Sequence, residues 1–188
     1  MSVLVSGLYY VPDSEYGASR PGSVAPMPEV TSRLARIPDD GDFLRSLYAS
    51  TRRAELQALG WSEAAQDTFI QMQFDAQSHH YRESFPNARH SVICVDGERA
   101  GRLIVSRSET EMAIVDITLL PEFRRCGVGG GLVRALLEEA DAHGLRVTLH
   151  VLRGSDARRF WERAGFVALD NDDLIYVAME RVCAALPT

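Results

Sequence analysis

The sequence predicts a single α/β domain, and three observations predict it. Its 188 residues suffice for one such core and leave little for a second. A hydrophobic content of 46% with 24% charged residues is that of an ordinary soluble globular protein. Strand, turn and helix signals alternate from about residue 31 to 181, and the best-defined unit is a strand, a glycine-rich turn and a helix at 115–144.

In chain order, Val3 to Val11 reads as a strand, and Pro12 to Glu29 is rich in Pro, Gly and Ser, as a linker is. Residues 1–30 are therefore expected to be an extension and residues 182–188 a tail. Ser32 to Ile37 is the first core strand, closed by Pro38. Asp39, Asp40 and Asp42 are N-cap candidates for a helix from Phe43 to about Leu59, with Gly60 as its stop. Ser62 opens a second helix to about Ser84, which Phe85-Pro86-Asn87 breaks. Asp96-Gly97 between Ser91–Val95 and Ala100–Arg107 signals a hairpin. After the central unit, Leu145 to Leu152 is a strand, and Ser155 or Asp156 caps a short helix to Ala164. A strand beginning at Gly165-Phe166-Val167 and another from Leu174 to Met179 complete the set.

In the central unit, Val115 to Leu120 has the composition of a buried strand, and Pro121 closes it. Arg124-Arg125-Cys126-Gly127-Val128-Gly129-Gly130-Gly131 is a turn with four glycines and two cations. Leu132, Val133, Leu136, Leu137 and Ala140 then recur at helical spacing up to Gly144. Bare backbone N–H groups converging on a helix N-terminus form an anion site. The P-loop pattern is excluded, since the chain has no lysine. The dinucleotide pattern G-x-G-x-x-G fails in both registers, which meet Leu132 and Arg134 where glycine is needed.

The pattern that fits is R-x-x-G-x-G at Arg124, Gly127 and Gly129. It resembles the pyrophosphate-binding motif of the acyl-CoA-dependent N-acetyltransferases of the GNAT superfamily. A second stretch, Ala157-Arg158-Arg159-Phe160-Trp161-Glu162-Arg163-Ala164-Gly165-Phe166, is similar to that family's A-x-x-[LF]-Y-E-[KR]-x-G-F. The resemblance covers roughly residues 31–181. It implies the GNAT fold, a central mixed twisted sheet of six to seven strands flanked by about four helices. It also implies acetyl-CoA as co-substrate and an amine as acceptor.

By position, the resemblance implies that the main chain of Ile117, Thr118 and Leu119 holds the pantetheine arm and polarises the thioester carbonyl. It implies that Arg124 leads the pyrophosphate motif and that Arg125, Cys126, Gly127, Val128, Gly129 and Gly130 supply its amides. Backbone donors aimed at that carbonyl stabilise the oxyanion formed when an amine attacks, with no covalent enzyme intermediate. Two departures stand out. Trp161 occupies the position of the family's Tyr, proposed there to protonate the leaving sulfur, and Gly154 or Ser155 replaces an Asn near the helix start. Trp161 cannot act as an acid; its ring either packs against pantetheine or is structural.

A thiol of pKa ~8.5 leaves near neutral pH with limited help. A primary amine of pKa ~10.4 is only about one part in a thousand neutral at pH 7.4, a handicap of roughly 4 kcal/mol. A base therefore matters more than an acid. The candidates are Asp116, unusual in an apolar strand, and His150, with the right intrinsic pKa. Each has a plainer alternative: an ion pair with an arginine of a neighbouring strand for Asp116, a hydrogen-bonded core histidine for His150. Gln73, Gln77, His80 and Tyr81 are candidates for the acceptor side, which this family builds from its first two helices, and Tyr81 for the missing acid.

The net charge of −6 argues against a nucleic-acid partner. It is uneven: Glu122 to Arg163 holds eight arginines against six acids, which suits CoA phosphates. Cys94, Cys126 and Cys183 have no metal-ligand or disulfide spacing, so no metal is expected. No apolar run is long enough to span a membrane, and the first cation is Arg20, so a cytoplasmic protein is expected. Members of the family often pair, so a homodimer is the assembly the resemblance suggests. The competing function class is a GNAT-like module that holds acyl-CoA as sensor or scaffold, and Trp161 is the feature that favours it.

Overall fold

The computed structural model describes residues 28–183. The strand expected at Val3–Val11, nearly all of the linker and the last five residues lie outside the described residues. The elements are β1 (Val30–Leu34), α1 (Gly41–Ser50), α2 (Arg53–Ala58), α3 (Glu63–Ser84), β2 (Arg89–Val95), β3 (Glu98–Arg107), β4 (Glu111–Leu119), α4 (Val128–His143), β5 (Arg146–Leu152), α5 (Ala157–Arg163), β6 (Val167–Ala168) and β7 (Tyr176–Arg181). A short 3-10 turn, Pro121–Phe123, follows β4.

The strands form one seven-stranded sheet in the order β1-β2-β3-β4-β5-β7-β6. Every neighbouring pair is antiparallel except β4 and β5. That parallel pair covers only Glu111↔Arg146, Met112↔Val147 and Ala113↔Thr148. From Ile114 onward β4 has no ladder partner on its β5 side, so the sheet opens there. A bulge contributes: Ile104 pairs Asp116 and Val105 pairs Ile114, leaving Val115 as an extra residue in β4. An extra residue bends its strand and re-aims the side chains beyond it.

Alternation along the strands sets the two faces. Leu103, Ile117, Leu149 and Met179 join Val133 and Leu136 of α4 and Trp161 of α5 in the main core. The opposite face holds three smaller clusters under α1, α2 and α3: Tyr48 with Ile70, Leu44 with Val92, and Tyr81 with Ile104 and Val115. Gly101 is required where β3 passes the end of β4, because a Cβ there would collide with the Thr118 carbonyl oxygen.

The single helix expected over 43–59 is two, which brings the number to five. Its break is at Thr51, whose hydroxyl donates to the Tyr48 carbonyl at 2.7 Å while Arg52 leaves helical geometry at φ −120°. A Thr side chain that satisfies a local carbonyl competes with the helix ladder. Asp40 does precede α1, but its side chain does not cap it. The buried Asp40 carboxylate instead takes both Arg33 guanidinium nitrogens at 2.7 and 2.8 Å and the Arg36 amide at 2.8 Å. β4 starts at Glu111, earlier than the apolar composition suggested, because the Ser108 hydroxyl holds the tight turn by accepting from the Glu111 amide at 3.0 Å.

Candidate functional site

The opened edge of β4 and the turn after it are continuous. Between Ile114 and Leu119 the strand is nearly fully buried, with Asp116 at 0% and Thr118 at 2% exposure. Buried backbone N–H and C=O groups are nearly always paired, so an unladdered buried edge is a site for an extended polar ligand. Leu119 at its end is tied to the turn by Arg124, whose Nε donates to the Leu119 carbonyl at 2.8 Å.

Arg125 has φ 60° and Gly127 φ 81°, both left-handed. Arg125 holds a conformation that L residues adopt at some cost, and Gly127 adopts its own freely. Gly127 is the N-cap of α4 and offers no side chain, and the first turn carries no acid. The first intrahelical amide is that of Gly131, bonded to the Gly127 carbonyl at 2.9 Å, so the preceding amides face outward. A Cβ at Gly127 or Gly130 would meet nothing within 4 Å, so the protein's own packing does not require bare backbone there. The helix dipole favours negative charge at this end. Arg125 and Cys126 are exposed beside it.

Two buried polar atoms stand out in and just before helix α5. Ser155 Oγ and Trp161 Nε1 are buried with no hydrogen-bond partner among the described residues. Each orphan costs about 1–3 kcal/mol unless something supplies its partner. The Trp161 ring is fully buried, edge-on to Phe160 and Phe166 with centroids 5.1 Å apart in each case.

The candidate proton-transfer residues fall into two groups. Asp116 forms an ion pair with the buried Arg102, accepts from Thr118 Oγ1 at 2.9 Å, and is itself wholly buried. Burial pushes the Asp116 carboxyl up, against the downward pull of Arg102 and Thr118. Gln77 Oε1 accepts from Arg102 at 2.9 Å, and the Arg102 guanidinium lies 5.6 Å from the Tyr81 ring centroid. The Tyr81 phenol is fully buried, and burial raises its pKa well above the ordinary value. Asp116, Gln77 and Tyr81 are thus one enclosed network around Arg102.

His150 stands apart from that network, on β5 opposite Ala178 of β7. It is half-buried, and burial lowers its pKa while Asp173 opposes the shift. Tyr176, two residues along β7 from Ala178, projects to the same sheet face. Asp173 shapes the approach to β7 by accepting from the Ile175 and Tyr176 amides at 2.8 and 2.9 Å. His80 points elsewhere and meets Ser84 Oγ at 3.3 Å, and Gln73 is partly exposed on α3. Tyr176 was not singled out from the sequence, and Arg102 only as an unspecified arginine of a strand neighbouring Asp116. The one available signal for Arg102 was a lone cation in the apolar run Leu103-Ile104-Val105 opposite a lone acid in β4.

The arrangement suits an extended molecule that lies along a strand edge and ends in an anionic group at a helix N-terminus. No helix among the described residues is long and apolar enough to cross a membrane. Among solved structures, the fold is similar to that of PaiA N-acetyltransferase from Thermoplasma acidophilum in complex with coenzyme A. The TM-score is 0.61 at 16% identity, covering 82% of this chain and 99% of that one. The ribosomal-protein-S18-alanine N-acetyltransferase from Escherichia coli matches with a TM-score of 0.56 at 16% identity, over 85% of this chain and 97% of that one. Mycothiol acetyltransferase from Segniliparus rotundus is 39% identical over 62 residues, 31% of this chain. That match spans only 23% of the relative's length. The model of the Acetyltransferase (GNAT) family matches residues 46–166, well over half of the sequence, and the chain belongs to that family.

Proposed function

We propose that the protein is an N-acetyltransferase that moves an acetyl group from acetyl-CoA to a primary amine by direct attack of the amine. The observation that carries this reading is the β4 edge, buried from Ile114 to Leu119 yet without a ladder partner on its β5 side. Acetyl-CoA, when bound, supplies the activated acyl thioester.

The chain's own residues take the following roles in this reading. Ile117, Thr118 and Leu119 hold the pantetheine arm through their main chain and direct amide donors at the thioester oxygen. The amides from Arg125 to Gly130, with Cys126, Val128 and Gly129 among them, take the pyrophosphate, and Arg124 and Arg125 add positive charge. Ser155 Oγ and Trp161 Nε1 gain from the arm the partners they lack. Trp161 transfers no proton, and since thiols ionise near pKa ~8.5 the chain need supply no acid.

His150 is the base, directly or through water. Its lowered pKa keeps the imidazole neutral near pH 7, the form that accepts a proton from an ammonium group. Asp116 is assigned to positioning, because both its oxygens are engaged and it has no exposed surface. Tyr81 is assigned to packing over Arg102. The second reading, an acyl-CoA sensor or scaffold without turnover, is favoured by Trp161 alone.

Calorimetric titration with acetyl-CoA, alongside thiol release against a panel of primary amines, tests the reading. Binding with amine-dependent thiol release is expected. Binding without turnover on any amine moves the protein to the sensor reading, and no binding removes both.

A further inference from the structure

A cavity of about 590 Å³ lies between α1, the C-terminal half of α3 and strands β2 and β3. Tyr81 and Arg102 of the Asp116 network form part of its wall, but none of the roles above places a ligand in it. Its lining includes no residue of β4, β5, β7, α4 or α5, so it is separate from the opened β4 edge and the glycine turn. Its size lies within the ~300–1,000 Å³ typical of small-molecule sites.

The lining is apolar below and cationic above. Leu44 and Ile104 are buried and Phe74 half-buried, giving an apolar floor. Arg82, Arg102, His79 and His90 also reach the cavity, against one acid, Asp75. Asp75 is exposed and already takes Gln71 Nε2 on both oxygens, at 2.9 and 3.0 Å. The Arg102 charge is matched by Asp116, and His79 lies 4.0 Å from Glu83. Arg82 is exposed at the rim and makes no hydrogen bond or ion pair among the described residues. Burial, and then repulsion from Arg102 and Arg82, depress the basicity of half-buried His90.

We propose that this cavity is a second ligand site, for a small carboxylate with an apolar body. Arg82 is its ion-pair partner, the His90 ring donates a hydrogen bond, and Leu44, Phe74 and Ile104 enclose the apolar part. One unmatched cation over an apolar floor selects a monoanion, where a phosphate would need more donors. The site does not depend on acetyl-CoA binding, so it stands or falls independently of the acyltransferase reading.

The test is calorimetric titration of the full chain, without CoA, using hexanoate, hexanamide and hexylamine. Hexanoate should bind, and the amide and the amine at least tenfold more weakly. Arg82→Gln should weaken hexanoate at least tenfold with its melting temperature within about 2 °C of wild type, the loss expected for a hydrogen bond to a charged group. Gly41 is part of the lining, and a Cβ there would meet nothing within 4 Å, so Gly41→Leu should fill open space and abolish binding without unfolding the chain. Equal affinity for hexanoate and hexanamide would overturn the proposal. So would no binding by the wild type, or an Arg82→Gln affinity unchanged from it.

Discussion

Arg102 of β3 and Asp116 of β4 form an ion pair that is closed to solvent, with exposures of 6% and 0%. It sits beside the β4 bulge, and Thr118 and Gln77 complete its hydrogen bonding. Removing one partner of such a pair leaves a buried charge unmatched, at about 3–5 kcal/mol. Arg102→Met should therefore lower the melting temperature by on the order of 10 °C for a chain of this size. Adding Asp116→Leu should return part of that loss. A single variant melting within 2 °C of wild type would show that the pair does not hold β4.

Gly127 separates steric demand from charge. Gly127→Ala forces an L residue to φ 81° with nothing to clash against, and should cost about 1–2 kcal/mol of stability. Gly127→Asp adds an anion at the helix N-terminus and should abolish CoA binding by calorimetry. If both variants lose CoA affinity equally, strain rather than charge governs the turn.

Trp161→Phe removes the orphan indole N–H and keeps an aromatic ring in the core. The lost hydrogen bond of about 0.5–1.5 kcal/mol should weaken CoA binding by roughly 2- to 13-fold. The turnover rate should stay within about tenfold of wild type, since no proton transfer is assigned there. A loss of rate of 100-fold or more in a stably folded variant would return an acid role to this position.

The histidines set an acid limit. His90 and His150 both have pKa values below the ordinary ~6.5 in the folded chain, so the unfolded chain binds more protons there. Stability should accordingly be full above about pH 6.5 and fall as pH drops towards the folded values. In the rate, His150 as base gives kcat/KM an acid limb below pH 6.5. His150→Gln should remove that limb and lower kcat/KM by about 10²–10⁴-fold. An unchanged limb in the variant would assign it to another group.

Much of the architecture was legible because its signals are local. Asp96-Gly97 set the β2–β3 hairpin, where Asp96 takes φ 49° and Gly97 φ 82°. The spacing of Val133, Leu136 and Ala140 set the buried face of α4. The Thr51 break was not legible, because a Thr in a helical run shows its preference only through which carbonyl its hydroxyl reaches. The glycine turn was readable residue by residue, since its chemistry is main-chain chemistry. An ion pair of Asp116 with an arginine of a neighbouring strand was legible as an alternative, but not that the arginine is Arg102, because the β3–β4 register is shifted by a bulge. His150 and Tyr176 share a face only through the β5–β7 ladder, a pairing across the remote end of the chain.

Three residue pairs are the only rungs between β4 and β5, and they make that boundary a seam. On one side lie β1 to β4 with the first three helices, on the other β5, β6 and β7. The shared core beneath α4 and α5 joins the two halves along one face, while the smaller clusters on the opposite face include no residue of β5, β6 or β7. Amide hydrogens of β5 that face the open stretch should therefore exchange with solvent faster than those directed at β7. A molecule lodged along β4 would act as a splint across the joint, so slowed exchange on both flanks at once would register its arrival without any chemistry having occurred.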